Sequence, residues 1–147
     1  MKLNTGKFIF LILLLTIIFF NCKKSKDNSV QGGYVNLRLS LNLPQYTQLN
    51  AIGGWVYIPQ SSDAGLKGLI VYRRTLDAYA AYDRACTYDP NNNCQLQVES
   101  SGITTIDTCC GSKFEIYYGS VTQAPATQPM IQYKTAIDGS DLYITNF

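Results

Sequence analysis

The residues with the most chemistry to offer are four cysteines in the second half of the chain: Cys86, Cys94, Cys109 and Cys110. Thiols in such a set can pair as disulfides, exchange electrons or hold a metal. No CxxC motif is present among them, so the usual redox-active spacing is missing. Four cysteines allow three pairings. A bond between the adjacent Cys109 and Cys110 closes a strained ring incompatible with a strand. The two pairings that remain both tie the 86–94 segment to the 109–110 segment. Two loops are stapled face to face in either case, and closing a loop of about 15 residues is worth on the order of 3 kcal/mol. Zinc held by all four is disfavoured, because neighbours on a strand point to opposite faces. The chain has no histidine, which excludes a Ser-His-Asp triad, a His-ligated metal and a His general base.

Whether these thiols meet an oxidising compartment depends on the N-terminus. Lys2 and Lys7 precede FIFLILLLTIIFF, an apolar run over residues 8–20. That run is shorter than the about 20 residues needed to cross a bilayer but suits the core of a secretory signal. Asn21-Cys22 and the polar KKSKDNS follow. This arrangement resembles a bacterial lipoprotein signal, which implies a signal peptide over 1–21, acylation of Cys22 and a flexible tether over 22–33. Phe19-Phe20-Asn21 departs from the small residues usual before such a cysteine. The expected location is the cell envelope, lipid-anchored to the outer or inner membrane; the lack of an acidic run after Cys22 leans towards the periplasmic side. Of 12 Lys and Arg, Lys2 and Lys7 lie ahead of Cys22, leaving 10 against 10 Asp and Glu. A mature charge near zero gives no hint of nucleic-acid binding. Export favours disulfides in the remaining even number of cysteines.

The elements that must position the cysteines read as strands. YVNLRLSLNL, residues 34–43, alternates apolar and polar with period two and stops at Pro44. Short β-rich runs follow: WVYIP, GLIVYRR, AYAAYDRA, the pair around Ser100-Ser101-Gly102, FEIYYGSV, PMIQY and DLYITNF. Asp138-Gly139 is a turn signal before the last strand. Strands at intervals of about ten residues predict an all-β barrel or sandwich over 34–147. Eleven tyrosines suit packing on such pleated, half-buried surfaces.

From Gly68 onward, LIVYRRTLDAYAAYDRACTYDP and then CCGSKFEIYYGSVTQAPATQPMIQY resemble a Rieske-type [2Fe–2S] domain, in the degenerate form of Bacteroidetes-type lipoproteins. Rieske domains carry Cys-x-His in one loop, Cys-x-x-His-Gly-Ser in a second, then a proline loop and a P-[LM]-x-x-Y strand. The resemblance implies an antiparallel β-sandwich or barrel with a smaller subdomain of cluster loops, here 82–121. It places Cys86 at the first ligand cysteine and Tyr88 at the first histidine. Asp107 then stands at the second cysteine and Cys110 at the second histidine. Three of four ligand positions differ from the pattern, and the imidazoles that raise a Rieske potential are missing. Ser112 resembles the serine that hydrogen-bonds a bridging sulfur. Phe114 and Ala124 replace the usual tyrosine and the glycine of the proline loop. The structural disulfide of respiratory Rieske loops implies a Cys94–Cys109 bond here, which leaves Cys86 and Cys110 to form a second.

The expected function is that of a disulfide-stapled, non-catalytic binding or scaffold module that has lost its histidine ligands and its cluster. It is anchored by lipid and serves an unidentified protein partner. Two alternatives come with the resemblance. One is an electron carrier whose [2Fe–2S] cluster is held by Cys86, Cys110, Asp107 and Tyr88. The other is a redox-active Cys86–Cys110 disulfide, with Arg84 and Lys113 close enough in sequence to lower a thiol pKa. No metal is favoured.

Overall fold

The structure, a computed structural model, describes residues 29–146. The expected signal segment 1–21, the lipidation site Cys22 and the tether up to residue 28 lie outside the described residues. Among the described residues no helix is long and apolar enough to cross a membrane.

The described residues form ten strands: β1 Asn36–Ser40, β2 Trp55–Ile58, β3 Leu69–Arg73, β4 Tyr79–Asp83, β5 Gln97–Val98, β6 Thr104–Ile106, β7 Lys113–Glu115, β8 Val121–Gln123, β9 Gln132–Asp138 and β10 Asp141–Thr145. They form a six-stranded sheet in the order β1-β10-β9-β4-β3-β2 and a four-stranded sheet in the order β5-β6-β7-β8. Every pairing is antiparallel. The long β9 holds the larger sheet together, its start beside β4 and its remainder beside β10. This is the all-β architecture that the alternating runs predict.

Period two shows how β3 and β4 are buried on both faces. Leu69 and Val71 face one hydrophobic cluster with Tyr79 and Ala81, while Ile70 and Tyr72 face the other with Ala80 and Tyr82. A strand buried on both faces must be apolar throughout, as LIVY and YAAY are. The first cluster is closed by Leu39, Leu142 and Ile144, and the second lies against the smaller sheet through Phe114 and Ile116. Cys86 and Leu96 belong to that second cluster. Burying a side chain such as Ile70 or Phe114 contributes about 1.5–3 kcal/mol, so the cysteine loops grow out of a well-buried layer.

Two predicted runs are interrupted. The 34–43 alternation forms a strand only to Ser40, because the Leu43 N–H returns to the Ser40 carbonyl at 3.1 Å and turns the chain. A 3-10 helix over Pro44–Asn50 follows, with proline in its first turn and Leu49 buried in the core. FEIYYGSV is likewise two strands, β7 and β8. The Glu115 carboxylate accepts the N–H groups of Tyr117 (3.1 Å) and Tyr118 (2.6 Å), an intervening turn that outcompetes the β-propensity of the tyrosines.

A buried carboxylate locks the larger sheet to the loop before β3. Asp83, wholly buried at the end of β4, accepts four hydrogen bonds. The donors are Leu66 N (2.6 Å), Lys67 N (3.2 Å), Ala85 N (2.8 Å) and the Tyr133 hydroxyl (2.7 Å). Burial and the neighbouring Asp83 charge hold the Tyr133 hydroxyl well above the usual tyrosine range. Gly65 must be glycine here: its φ is +75°, and a Cβ would stand 2.4 Å from Asp83 Oδ2.

Candidate functional site

Two loops and a proline segment meet beside the second hydrophobic cluster. The first loop leaves β4 at Arg84 and returns at Leu96, pinched at its neck. Leu96 N donates to the Arg84 carbonyl (2.7 Å), and Arg84 Nε donates to the Leu96 carbonyl (3.0 Å). The Arg84 guanidinium also lies over the Tyr57 ring, 4.0 Å from its centroid. Inside the loop, the Lys67 ammonium donates to the Asn92 carbonyl, to Asn92 Oδ1 (3.0 Å) and to the Cys94 carbonyl (2.8 Å). Cys94 N donates to the same Asn92 Oδ1 at 2.9 Å. One cation thereby fixes the part of the loop that carries Cys94.

The second loop, Asp107 to Ser112, folds around one side chain. Asp107 Oδ1 accepts Cys109 N (2.7 Å) and Cys110 N (3.0 Å), while its backbone carbonyl accepts Gly111 N (2.8 Å). Gly111 has φ +79°, which reverses the chain into β7. Ser112 Oγ accepts hydrogen bonds from the Cys110 thiol (3.1 Å) and from Ala126 N (2.9 Å). Thr87 Oγ1 donates to the Gln128 carbonyl at 2.7 Å. The proline segment is therefore tied to both loops.

This scaffold brings Cys94 and Cys109 into a disulfide, with Cα atoms 5.9 Å apart. The expected second disulfide is not formed: Cys86 and Cys110 are free thiols whose sulfurs touch at 3.6 Å, against about 2.05 Å for a bond. Cys86 is wholly buried and Cys110 half-buried. Burial pushes the Cys86 thiol up to about 11, against a pull from the Tyr88 N–H and with help from Cys110 and Asp107. A neutral, enclosed thiol is a poor nucleophile for closing or exchanging a disulfide. The cations expected to activate it are engaged elsewhere, Arg84 at Tyr57 and Leu96, Lys113 in an ion pair with Glu99 at 2.7 Å.

Of the four positions aligned with cluster ligands, three converge. Cys86 Sγ, Cys110 Sγ and an Asp107 carboxylate oxygen lie within 4.8 Å of one another. Tyr88 is not among them and is 58% exposed. A second group, Cys94, Cys109 and Asp107, is equally compact, but its sulfurs are spent on the disulfide. Cys109 and Cys110 lie in a turn and not on the strand expected from the sequence; Asp107 binds both their amides, and the two thiols diverge to different partners. Ser112 stays beside Cys110, and Phe114 is buried in the second cluster. Lys67, Asn92 and Asp83 carry none of the site's reactive atoms, and sequence reasoning passed over them. Only the PNNN run before Cys94 hinted that side-chain amides would shape that loop.

No family model and no curated protein matches the chain. Among solved structures it is similar to the cyanobacterial plasma membrane Rieske protein from Synechocystis PCC 6803, at 20% identity, over 76% of this chain and 98% of that one, with a TM-score of 0.53. It is also similar to the Sphingomonas yanoikuyae B1 ferredoxin, at 22% identity, over 75% and 97% of the two chains, with a TM-score of 0.51. At such identities the likeness bears on architecture alone: the protein has a Rieske-like β fold.

Proposed function

We propose that the protein is a lipid-anchored, Rieske-like module that holds no [2Fe–2S] cluster and works as a non-catalytic binding or scaffold domain. The observation that carries this reading is the donor set. A Rieske centre places two imidazoles on one iron and two thiolates on the other, and the chain has no histidine. The residue types at the four positions do not replace them as a frame. Tyr88 is exposed and outside the converging group, and Asp107 Oδ1 is taken by two amides. The resemblance assigns Cys86 and Cys110 to opposite irons, on either side of the bridging sulfides, yet their sulfurs are in contact. The residues present do not fit the cluster.

The names Rieske protein and ferredoxin carried by the two structural neighbours therefore pass to this chain as an architecture and not as a cofactor. A redox-active disulfide is disfavoured by the raised Cys86 thiol and by the engagement of Arg84 and Lys113 with other partners. Anchoring through Cys22, a periplasmic aspect and an unidentified protein partner complete the proposal, resting on the leader and its cysteine. The test is an iron and acid-labile sulfide assay on full-length protein purified without air from its membrane fraction. The reading expects colourless material with neither; stoichiometric iron and sulfide overturn it.

A further inference from the structure

The two free thiols, joined by a hydrogen bond and not by a disulfide, have a separation that also suits a metal. A disulfide would bring the sulfurs to about 2.05 Å, whereas two thiolates about 2.3 Å from one tetrahedral ion stand about 3.8 Å apart. Cys86 and Cys110 stand at 3.6 Å. A third donor is already oriented. Asp107 is wholly buried and fixed through Oδ1 by the amides of Cys109 and Cys110 at 2.7 and 3.0 Å. Its Oδ2 has one long contact, Asn92 Nδ2 at 3.5 Å, so one carboxylate oxygen remains available to a cation. Ser112 Oγ, 3.1 Å from Cys110 Sγ, holds that thiol in place.

The geometry points to a mononuclear Cys86–Cys110–Asp107 centre for a single thiophilic divalent ion of the zinc class. Two thiolates and one carboxylate outweigh the dication's charge, so the centre is singly anionic, and three protein donors leave the fourth tetrahedral position to solvent. On binding, each thiol releases its proton to solvent and the sulfur lone pair becomes the metal bond; no electron moves, so neither oxidant nor reductant is needed. Entry is from the side of Cys110, the half-buried member. The Cys94–Cys109 disulfide removes the competing sulfurs and pins both loops around the site. The inference rests on the cluster-free reading in that iron and sulfide must not fill the same place.

The experiment uses full-length protein purified without air or added reductant. Free thiols are counted after denaturation, excluding the lipidated cysteine, and the native protein is titrated with Zn²⁺ against a chromophoric chelator and with Cd²⁺ by its sulfur-to-metal absorbance. The expected result is two thiols, one ion per chain and Kd below about 1 μM. Cys110→Ala and Asp107→Asn should weaken binding by at least about 10-fold while the circular dichroism of the fold is retained. Asp107→Asn keeps an oxygen for the two amides and removes only the second carboxylate oxygen. Two free thiols without Zn²⁺ or Cd²⁺ binding overturn the centre, as does binding unchanged in both variants. An isolated protein with no free thiols, its second sulfur pair oxidised, overturns the centre and leaves the cluster-free reading standing. Iron with labile sulfide overturns both.

Discussion

Two wholly buried aspartates, Asp83 and Asp107, stand three residues before Cys86 and Cys110 respectively, and they are satisfied differently. Asp83 meets four donors, two on each oxygen: a main-chain pair on Oδ1, and Leu66 N with the Tyr133 hydroxyl on Oδ2. Asp107 spends one oxygen on two amides and leaves the other with a single contact at 3.5 Å. The same residue type in a similar local position thus serves two ends. The first closes a structural joint in the larger sheet. The second shapes a loop while keeping acceptor capacity beside two thiols. Burial of a carboxylate does not by itself mark a site; an oxygen left without a short partner does.

The largest test of this contrast is Asp83→Ala. It strands three amides and a tyrosine hydroxyl in the core, each worth roughly 1–3 kcal/mol when unsatisfied, and local relaxation leaves an expected loss of about 4 kcal/mol in urea unfolding. Loss of less than about 1 kcal/mol would remove Asp83 from its role as the joint. Next comes the staple. Cys94→Ser with Cys109→Ser opens a disulfide of sequence separation 15, for an expected cost of about 3 kcal/mol. The two loops should then show faster amide exchange than β3 and β4, whose hydrogen bonds lie in the packed sheet.

The pH dependence separates the sulfur pairs further. In metal-free protein the Cys86 thiol keeps its proton up to about 11, against an ordinary 9.0. Between those values the unfolded chain has lost a proton that the folded chain retains. This group's contribution is therefore fully present below about 9 and declines as pH rises towards about 11. Comparing the urea midpoints of native protein and Cys86→Ser across that window isolates the decline. A flat difference would mean that Cys86 is not enclosed. The smallest expected effect is Asp107→Asn, about 1 kcal/mol in metal-free protein, because the amide oxygen still accepts the Cys109 and Cys110 N–H groups. A loss as large as that of Asp83→Ala would erase the distinction between the two aspartates.

What the sequence made legible follows from period and punctuation. LIVY and YAAY are apolar at every position and form strands buried on both faces of the larger sheet, and Asp138-Gly139 marks the β9–β10 turn with Gly139 at φ +58°. The resemblance to Rieske loops brought Cys94 together with Cys109, and placed Cys86 opposite Cys110. It did not reveal that the latter pair stays as two thiols 3.6 Å apart, because no residue spacing encodes the contacts that Asp107 and Ser112 make with Cys110. The turn at Glu115 and the clamp at Lys67 were hidden for a similar reason. Each depends on a side chain capturing backbone groups, at Lys67 from a segment 25 or more residues away. Tyr88, at a ligand position by alignment, is placed outside by a loop whose course Lys67 and Asn92 decide.

The most direct test of the central claim is anaerobic reconstitution of the full-length protein with ferrous iron and sulfide, followed by desalting and electron paramagnetic resonance of the reduced sample. The account predicts that no iron–sulfur signal survives desalting, since Cys86, Cys110, Asp107 and Tyr88 do not frame a two-iron centre. A stable [2Fe–2S] signal that disappears in Cys86→Ser and Cys110→Ala would contradict it.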